Sequence, residues 1–304
     1  MSGHGHGHAP APGSAASRHR GRMALAFGLA FGFLVVELLT GVLANSLALI
    51  SDAGHMAADV VALGAALVAT KIATRPDRTG RRSYGSYRAE VFASGLTVLI
   101  MLGVSVYVVV EAIARIGSGV EVAGASMLVV GILGLAVNIT SILLLRSGSK
   151  ESLNVRGAYV EVVSDAAGSL GVVAAAVLVL LTGSPLWDTV VALAIGGFVA
   201  VRAVVLGRQV LAVLGQHVPE GVDLDQVVHD LAQLDGVEGV HDIHIWNLTS
   251  GMNVATAHLV VASPEQGQAV LTRAQSLLQE QHHIEHATLQ VEASPTEQCH
   301  EVQW

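Results

Sequence analysis

The chain has 304 residues, of which 52% are hydrophobic and only 13% charged, and its mean hydropathy is positive at +0.59. That profile excludes an ordinary soluble globule and makes the bilayer the solvent to reason from. The formal net charge of −8 comes without a basic face, which excludes a nucleic-acid role, and the single cysteine, Cys299, excludes an intrachain disulfide.

In chain order, residues 1–22, with "GHGHGH" and "APAPGSAAS", read as a low-complexity, disordered tail rich in histidine. Six windows then match the roughly 20 helical residues that cross a hydrocarbon core: 23–44, 47–73, 90–115, 121–146, 157–182 and 187–213. The first is too long for a signal-peptide core and has no small-residue cleavage site after it, so it is expected to be retained. Basic residues collect before span 1 (Arg18, Arg20, Arg22), around the span 2–3 loop (Lys71, Arg75, Arg78, Arg81, Arg82, Arg88) and between spans 4 and 5 (Arg146, Lys150, Arg156). Arg202 and Arg208 are expected to close span 6. The opposite loops, around Asn45 and "TGSPLWD", have none, so both termini are predicted to be cytoplasmic.

Past Leu214 the pattern becomes soluble. "DLDQVVHDLAQL" (223–234) has helical apolar spacing behind an Asp cap; "VEGVHDIHIWNLTS" and "NVATAHLVVA" read as strands joined at "SGMN". A second helix is expected from Ser263 as N-cap and Pro264 in its first position, and "HATLQVEA" is a last strand. The fold class is therefore an α-helical membrane protein with six transmembrane helices followed by a small α+β domain, αββαβ, its helices on one face of an antiparallel or mixed sheet. The domain limits follow: tail 1–22, membrane domain 23–214, cytoplasmic domain 215–293 and a flexible end, 294–304. A sheet this small, with a face or edge uncovered, favours dimerisation.

Ionisable groups inside a bilayer are costly and need a partner, a cavity or a function. His55 and Asp59 are four apart on span 2, and Glu161 and Asp165 four apart on span 5, so each pair shares a helix face. Asp59 lies 12 residues after Leu47, or about 18 Å, which is near mid-membrane. One imidazole and three carboxylates suit a tetrahedral divalent site, with Zn²⁺ as first candidate. No Lys or Arg is expected within the spans to pair with them, so the balancing charge is read as a bound cation or protons. Asp52, one turn nearer the outer surface, reads as an orienting partner for His55 or a group on the ion's path. Glu37, Glu90 and Glu111 read as structural or proton-relay groups and not ligands.

Strand parity puts His241 and His244 on opposite faces, with Asp242, His244 and Trp246 sharing one. A second metal site is accordingly assembled from His241, His258 and Glu292, with Cys299 and His300 within reach in the flexible end; His282, His283 and His286 are weaker candidates. The N-terminal histidines concentrate imidazole without fixed geometry.

These residues resemble the cation diffusion facilitator family of divalent-metal/proton antiporters, most closely its bacterial zinc-transporting branch. The resemblance spans nearly the whole chain, through "ALISDAGHMAADV", "RSYGSYRAEV", "SKESLNVRGAYVEVVSDAAGSLGVV", "GVEGVHDIHIWNLTSG", "AHLVV" and "TLQVE". It implies a homodimer in a bacterial inner membrane, with Zn²⁺ as substrate and regulatory ligand, protons as counter-ions, no organic cofactor and no enzymatic activity. Carried over residue by residue, it marks His55, Asp59 and Asp165 for transport and His241, His258 and Glu292 for the cytoplasmic domain. Glu161 departs from it, since a histidine is usual there; the extra carboxylate points to wider selectivity, toward Co²⁺, Cd²⁺, Mn²⁺ or Fe²⁺. The implied mechanism is alternating access, with protons competing for the ligands. An intramembrane zinc hydrolase would need a His-Glu-x-x-His arrangement, which is absent, and a non-transporting sensor has no use for ligands at mid-depth.

Overall fold

The computed structural model describes residues 15–73, 82–116, 118–146, 153–249 and 251–293. Six long helices come first: α1 (Ala15–Leu43), α2 (Leu47–Ala73), α3 (Ala89–Arg115), α4 (Gly124–Leu145), α5 (Leu153–Thr182) and α6 (Leu186–Leu214). Among the described residues, α3, α4, α6 and Tyr159–Thr182 of α5 are long and apolar enough to cross a membrane, and α1 contributes a shorter apolar stretch, Phe27–Leu43. The first helix begins at Ala15 and not at residue 23, so residues 15–22 are helical where a disordered tail was expected. Ala15, Ala16, Arg18, Arg20 and Arg22 are good helix formers, and extending a helix already nucleated by a span costs little. Residues 1–14, with the histidine tract, lie outside the described residues.

Polarity is arranged for lipid. Leu43, Leu99 and Leu181 face outward, while Glu37, Asp52, His55, Asn138, Asp165 and Asp188 are buried. Close helix approach depends on glycines. A Cβ on Gly131 of α4 would come within 3.0 Å of Val173, and one on Gly168 of α5 would sit 2.5 Å from the Asp52 carboxylate. Asn138 of α4 donates to Ser169 of α5 across 3.1 Å, so α4 and α5 are joined by packing and by a buried hydrogen bond.

Asn45 turns the chain from α1 into α2 with φ 52°, a left-handed cap that asparagine tolerates. Ser46 then caps α2, its hydroxyl accepting from the Leu49 amide at 3.1 Å. The next two amides of α2, from Leu47 and Ala48, donate to the carboxylate of Asp188 on α6 at 2.7 and 3.1 Å. Ser46 donates to the same carboxylate at 2.6 Å, and the Arg115 guanidinium lies 3.6 Å from it.

The chain divides into two compact units, the second combining residues 69–93 with the C-terminal part from Gly207. In that second unit, α7 (Leu224–Ala232) is capped by Asp223, and β1 (Val237–Thr249) pairs antiparallel with β2 (Met252–Val261). Ser263 caps a 3₁₀ turn, Pro264–Gln266, which runs directly into α8 (Gly267–His282), and β3 (His286–Glu292) pairs parallel with β2. The sheet is thus mixed, in the order β1-β2-β3. Val227 and Leu231 of α7 and Val270, Ala274 and Leu278 of α8 pack on Ile245, Ala255 and Leu259, so both helices cover one sheet face.

Candidate metal centre

His55 and Asp59 lie one turn apart on α2, and Glu161 and Asp165 one turn apart on α5. Facing each other, the four supply one ligand-type atom apiece within 4.8 Å of one another. His55 Nε2 is 3.5 Å from Asp165 Oδ1, and His55 Nδ1 is 3.6 Å from Asp59 Oδ2. Three of these atoms, His55 Nδ1, Asp59 Oδ2 and Asp165 Oδ1, are buried with no hydrogen-bond partner among the described residues. Such atoms are expensive unless something else satisfies them, and an arrangement of one nitrogen and three carboxylate oxygens suits a divalent cation. Burial is graded: the side chains of His55 and Asp165 are 3% and 10% exposed, those of Asp59 and Glu161 24% and 33%.

The expectation that no basic residue lies among these acids fails at Arg202. Its guanidinium donates to Glu161 Oε1 at 2.5 Å, lies 3.1 Å from His55 Nε2 and reaches Asp59 Oδ1 at 3.9 Å. Arginine only donates, so Nε2 of His55 accepts. Phe198, one turn earlier on α6, lies 6.0 Å from the guanidinium carbon and meets the His55 ring edge-on. Arg202, expected to close span 6, instead lies 12 residues before the end of α6 at Leu214. Counting depth from Leu186, 16 residues or about 24 Å, would have placed it well inside the span.

Asp52 stands apart from this cluster. Among the described residues neither of its oxygens has a hydrogen-bond partner, so no hydrogen bond joins it to His55. It rests against Gly168, with the Glu37 carboxyl beside it. Glu90 instead accepts from Thr249 at 2.8 Å, and Glu111 pairs with Arg115 at 3.1 Å.

The second cluster, His241, His258 and Glu292, also gathers its ligand-type atoms within 4.8 Å. It sits on the sheet face that the helices leave uncovered. His258 Nδ1 is 2.9 Å from Glu292 Oε1, and His241 Nε2 is 3.8 Å from Glu292 Oε2. The strict alternation expected along β1 breaks between His241 and His244. His241 pairs with His258 but His244 with Thr256, so a bulge inserts one residue and brings His241 and His244 to the same face. Asp242 supplies the kink with φ 50°. His244 contacts Asp242 at 3.1 Å and stays outside the cluster. Of the weaker candidates, His282 pairs with Asp230 at 3.0 Å, His283 ends α8 at φ 54° and His286 packs on Tyr84. Cys299 and His300 lie outside the described residues.

Comparison with known proteins gives the geometry a family. The profile described as "Cation efflux transmembrane domain" matches residues 23–214, and "Cation efflux protein, cytoplasmic domain" matches residues 219–294. The metal cation efflux system protein CzcD of Cupriavidus metallidurans is 41% identical over 91% of this chain and 88% of its own. The cadmium, cobalt and zinc/H(+)-K(+) antiporter of Bacillus velezensis is 33% identical over 90% and 88%, and the zinc transporter ZitB of Escherichia coli is 34% identical over 90% and 87%. The chain belongs to the cation efflux family, that of the cation diffusion facilitators, and is an integral membrane protein for moving metal cations and not an enzyme.

Proposed function

We propose that this protein exports divalent cations, Zn²⁺ first among them, from the cytoplasm in exchange for protons by alternating access. The observation that carries the reading is the four-residue cluster of α2 and α5, in which buried polar atoms of His55, Asp59 and Asp165 have no hydrogen-bond partner among the described residues. His55, Asp59, Glu161 and Asp165 hold the transported ion. The more exposed pair, Asp59 and Glu161, lies toward the helix ends joined by the basic loops, so the site opens to the cytoplasm under the positive-inside rule. Metal ligation requires deprotonated donors, so protons arriving from the far side compete the ion off. The same rule puts both termini in the cytoplasm, and the bacterial relatives support an inner-membrane location.

His241, His258 and Glu292 are proposed as a regulatory site for the same metals, in a cytoplasmic domain through which two copies pair. Glu161 favours a broader reading as well, because three oxygens and one nitrogen form a harder donor set than the zinc branch's usual two and two. Relatives named for cadmium, cobalt and zinc support it. The test is purified protein in liposomes with internal metal and pH reporters, challenged with Zn²⁺, Cd²⁺, Co²⁺, Mn²⁺ and Fe²⁺. Asp59→Ala and Asp165→Ala each abolish metal flux while the protein stays folded; flux retained in both removes the site, and metal movement without proton counter-movement removes antiport.

A further inference from the structure

Glu161 is the member of the four-residue cluster that a cation holds most tightly, with Arg202 Nη1 2.5 Å from its Oε1. Its partner Arg202 also covers His55 Nε2, and it approaches Asp59. We propose that Arg202 is a tethered counter-cation of the transport site, one that must leave Glu161 and His55 for metal to bind and returns to them as metal departs. The proposal rests on the assignment of these four residues as the transport site.

The contacts are those of a metal surrogate. A guanidinium has donors only, so Arg202 Nη1 takes up a lone pair on Glu161 and one on His55, residues of the two ligand helices α5 and α2. Charge agrees with this. Three carboxylates and one guanidinium leave two negative charges, which a single divalent ion cancels; without Arg202 a third is left over. Position agrees too, since Arg202 sits against Glu161 and Asp59, the exposed end of the cluster, and is itself 31% exposed. Phe198 offers the displaced guanidinium a ring face on its own helix. Arg202 thereby sets metal affinity: it weakens binding by competing for Glu161 and His55, and it speeds release by reclaiming them.

The test is Zn²⁺ binding by calorimetry and Zn²⁺ flux in liposomes, on the full chain, for wild type, Arg202→Gln, Glu161→Gln and the double variant. Arg202→Gln should tighten Zn²⁺ binding by about tenfold or more, because a like charge has been removed from beside the ion. It should lower both KM and maximal flux, a split that a purely structural role would not give. In the Glu161→Gln background the gain should shrink, measuring the coupling directly. Arg202→Lys, which keeps the charge but loses the fork, should give an intermediate Kd, and it serves alone should the Gln variant not fold. Unchanged or weaker Zn²⁺ binding in the folded variants overturns the proposal. If wild type itself neither binds nor moves metal, the site assignment has failed instead.

Discussion

Asp188 sits in the first turn of α6, fully buried, and spends its carboxylate on donors from other helices. It accepts from Ser46, Leu47 and Ala48 at the start of α2, with Arg115 of α3 close by. The amides at a helix start have no partner within the helix, so Asp188 completes the capping that Ser46 begins. Asp188→Ala strands those amides and the arginine, and should cost about 3–5 kcal/mol, read as a fall in the thermal midpoint of the purified protein. Asp188→Asn keeps an acceptor and should lose less; equal loss in both would mean that charge and not capping dominates. Neither Asp188 nor Arg202 was found by reading the sequence, for the same reason. Each acts across helices, Asp188 on residues 140 to 142 positions away and Arg202 on Glu161 and His55, 41 and 147 positions away, and nothing local marks such a pairing. His55, Asp59, Glu161 and Asp165 were legible because four-residue spacing on two apolar helices is a local signal.

Elements carry a different kind of information. The cap at Asp223, the Ser263–Pro264 start and the succession αββαβ along the chain were written in short-range residue choices, whereas the pairing of β3 parallel to β2 was left open between an antiparallel and a mixed sheet. The bulge in β1 was not written there, since strict alternation is the default for any strand, and only pairing with β2 shows the extra residue. Asp242 holds that bulge at φ 50°, a conformation that β-branched residues resist. Asp242→Val should destabilise the cytoplasmic domain by about 1–2 kcal/mol, whereas Asp242→Gly should be tolerated. Chemical denaturation of the full chain, followed by tryptophan fluorescence, checks it; a tolerated valine would mean that the bulge relaxes and that His241 need not stand opposite His258.

For the whole molecule, the two clusters assign different consequences to metal. The His55 cluster is built into helices whose outward faces are apolar, whereas His241, His258 and Glu292 lie on an open sheet face of the soluble domain. If His241, His258 and Glu292 form the proposed regulatory site, Zn²⁺ should promote pairing of two copies, and His258→Ala combined with Glu292→Gln should leave the chain folded and abolish that effect, as measured by sedimentation at several protein concentrations. Flux should fall by less than in Asp59→Ala. A Zn²⁺-dependent dimer that survives the double change would exclude this cluster from regulation.

The sequence by itself determined that the chain spans a membrane, that two of its helices bear His/Asp and Glu/Asp pairs of ligand type at four-residue spacing and that an αββαβ domain follows. Each of these depends on periodicity, composition or capping within a few turns of chain, where covalent spacing fixes geometry. Only the tertiary structure decided that Arg202 shares the site, that Asp52 turns to Gly168 and Glu37 instead of His55, and that a bulge aligns His241 with His258. Those outcomes depend on how separate helices and strands pack, and on which buried charge finds an opposite partner. Neither is encoded in the spacing of any one segment.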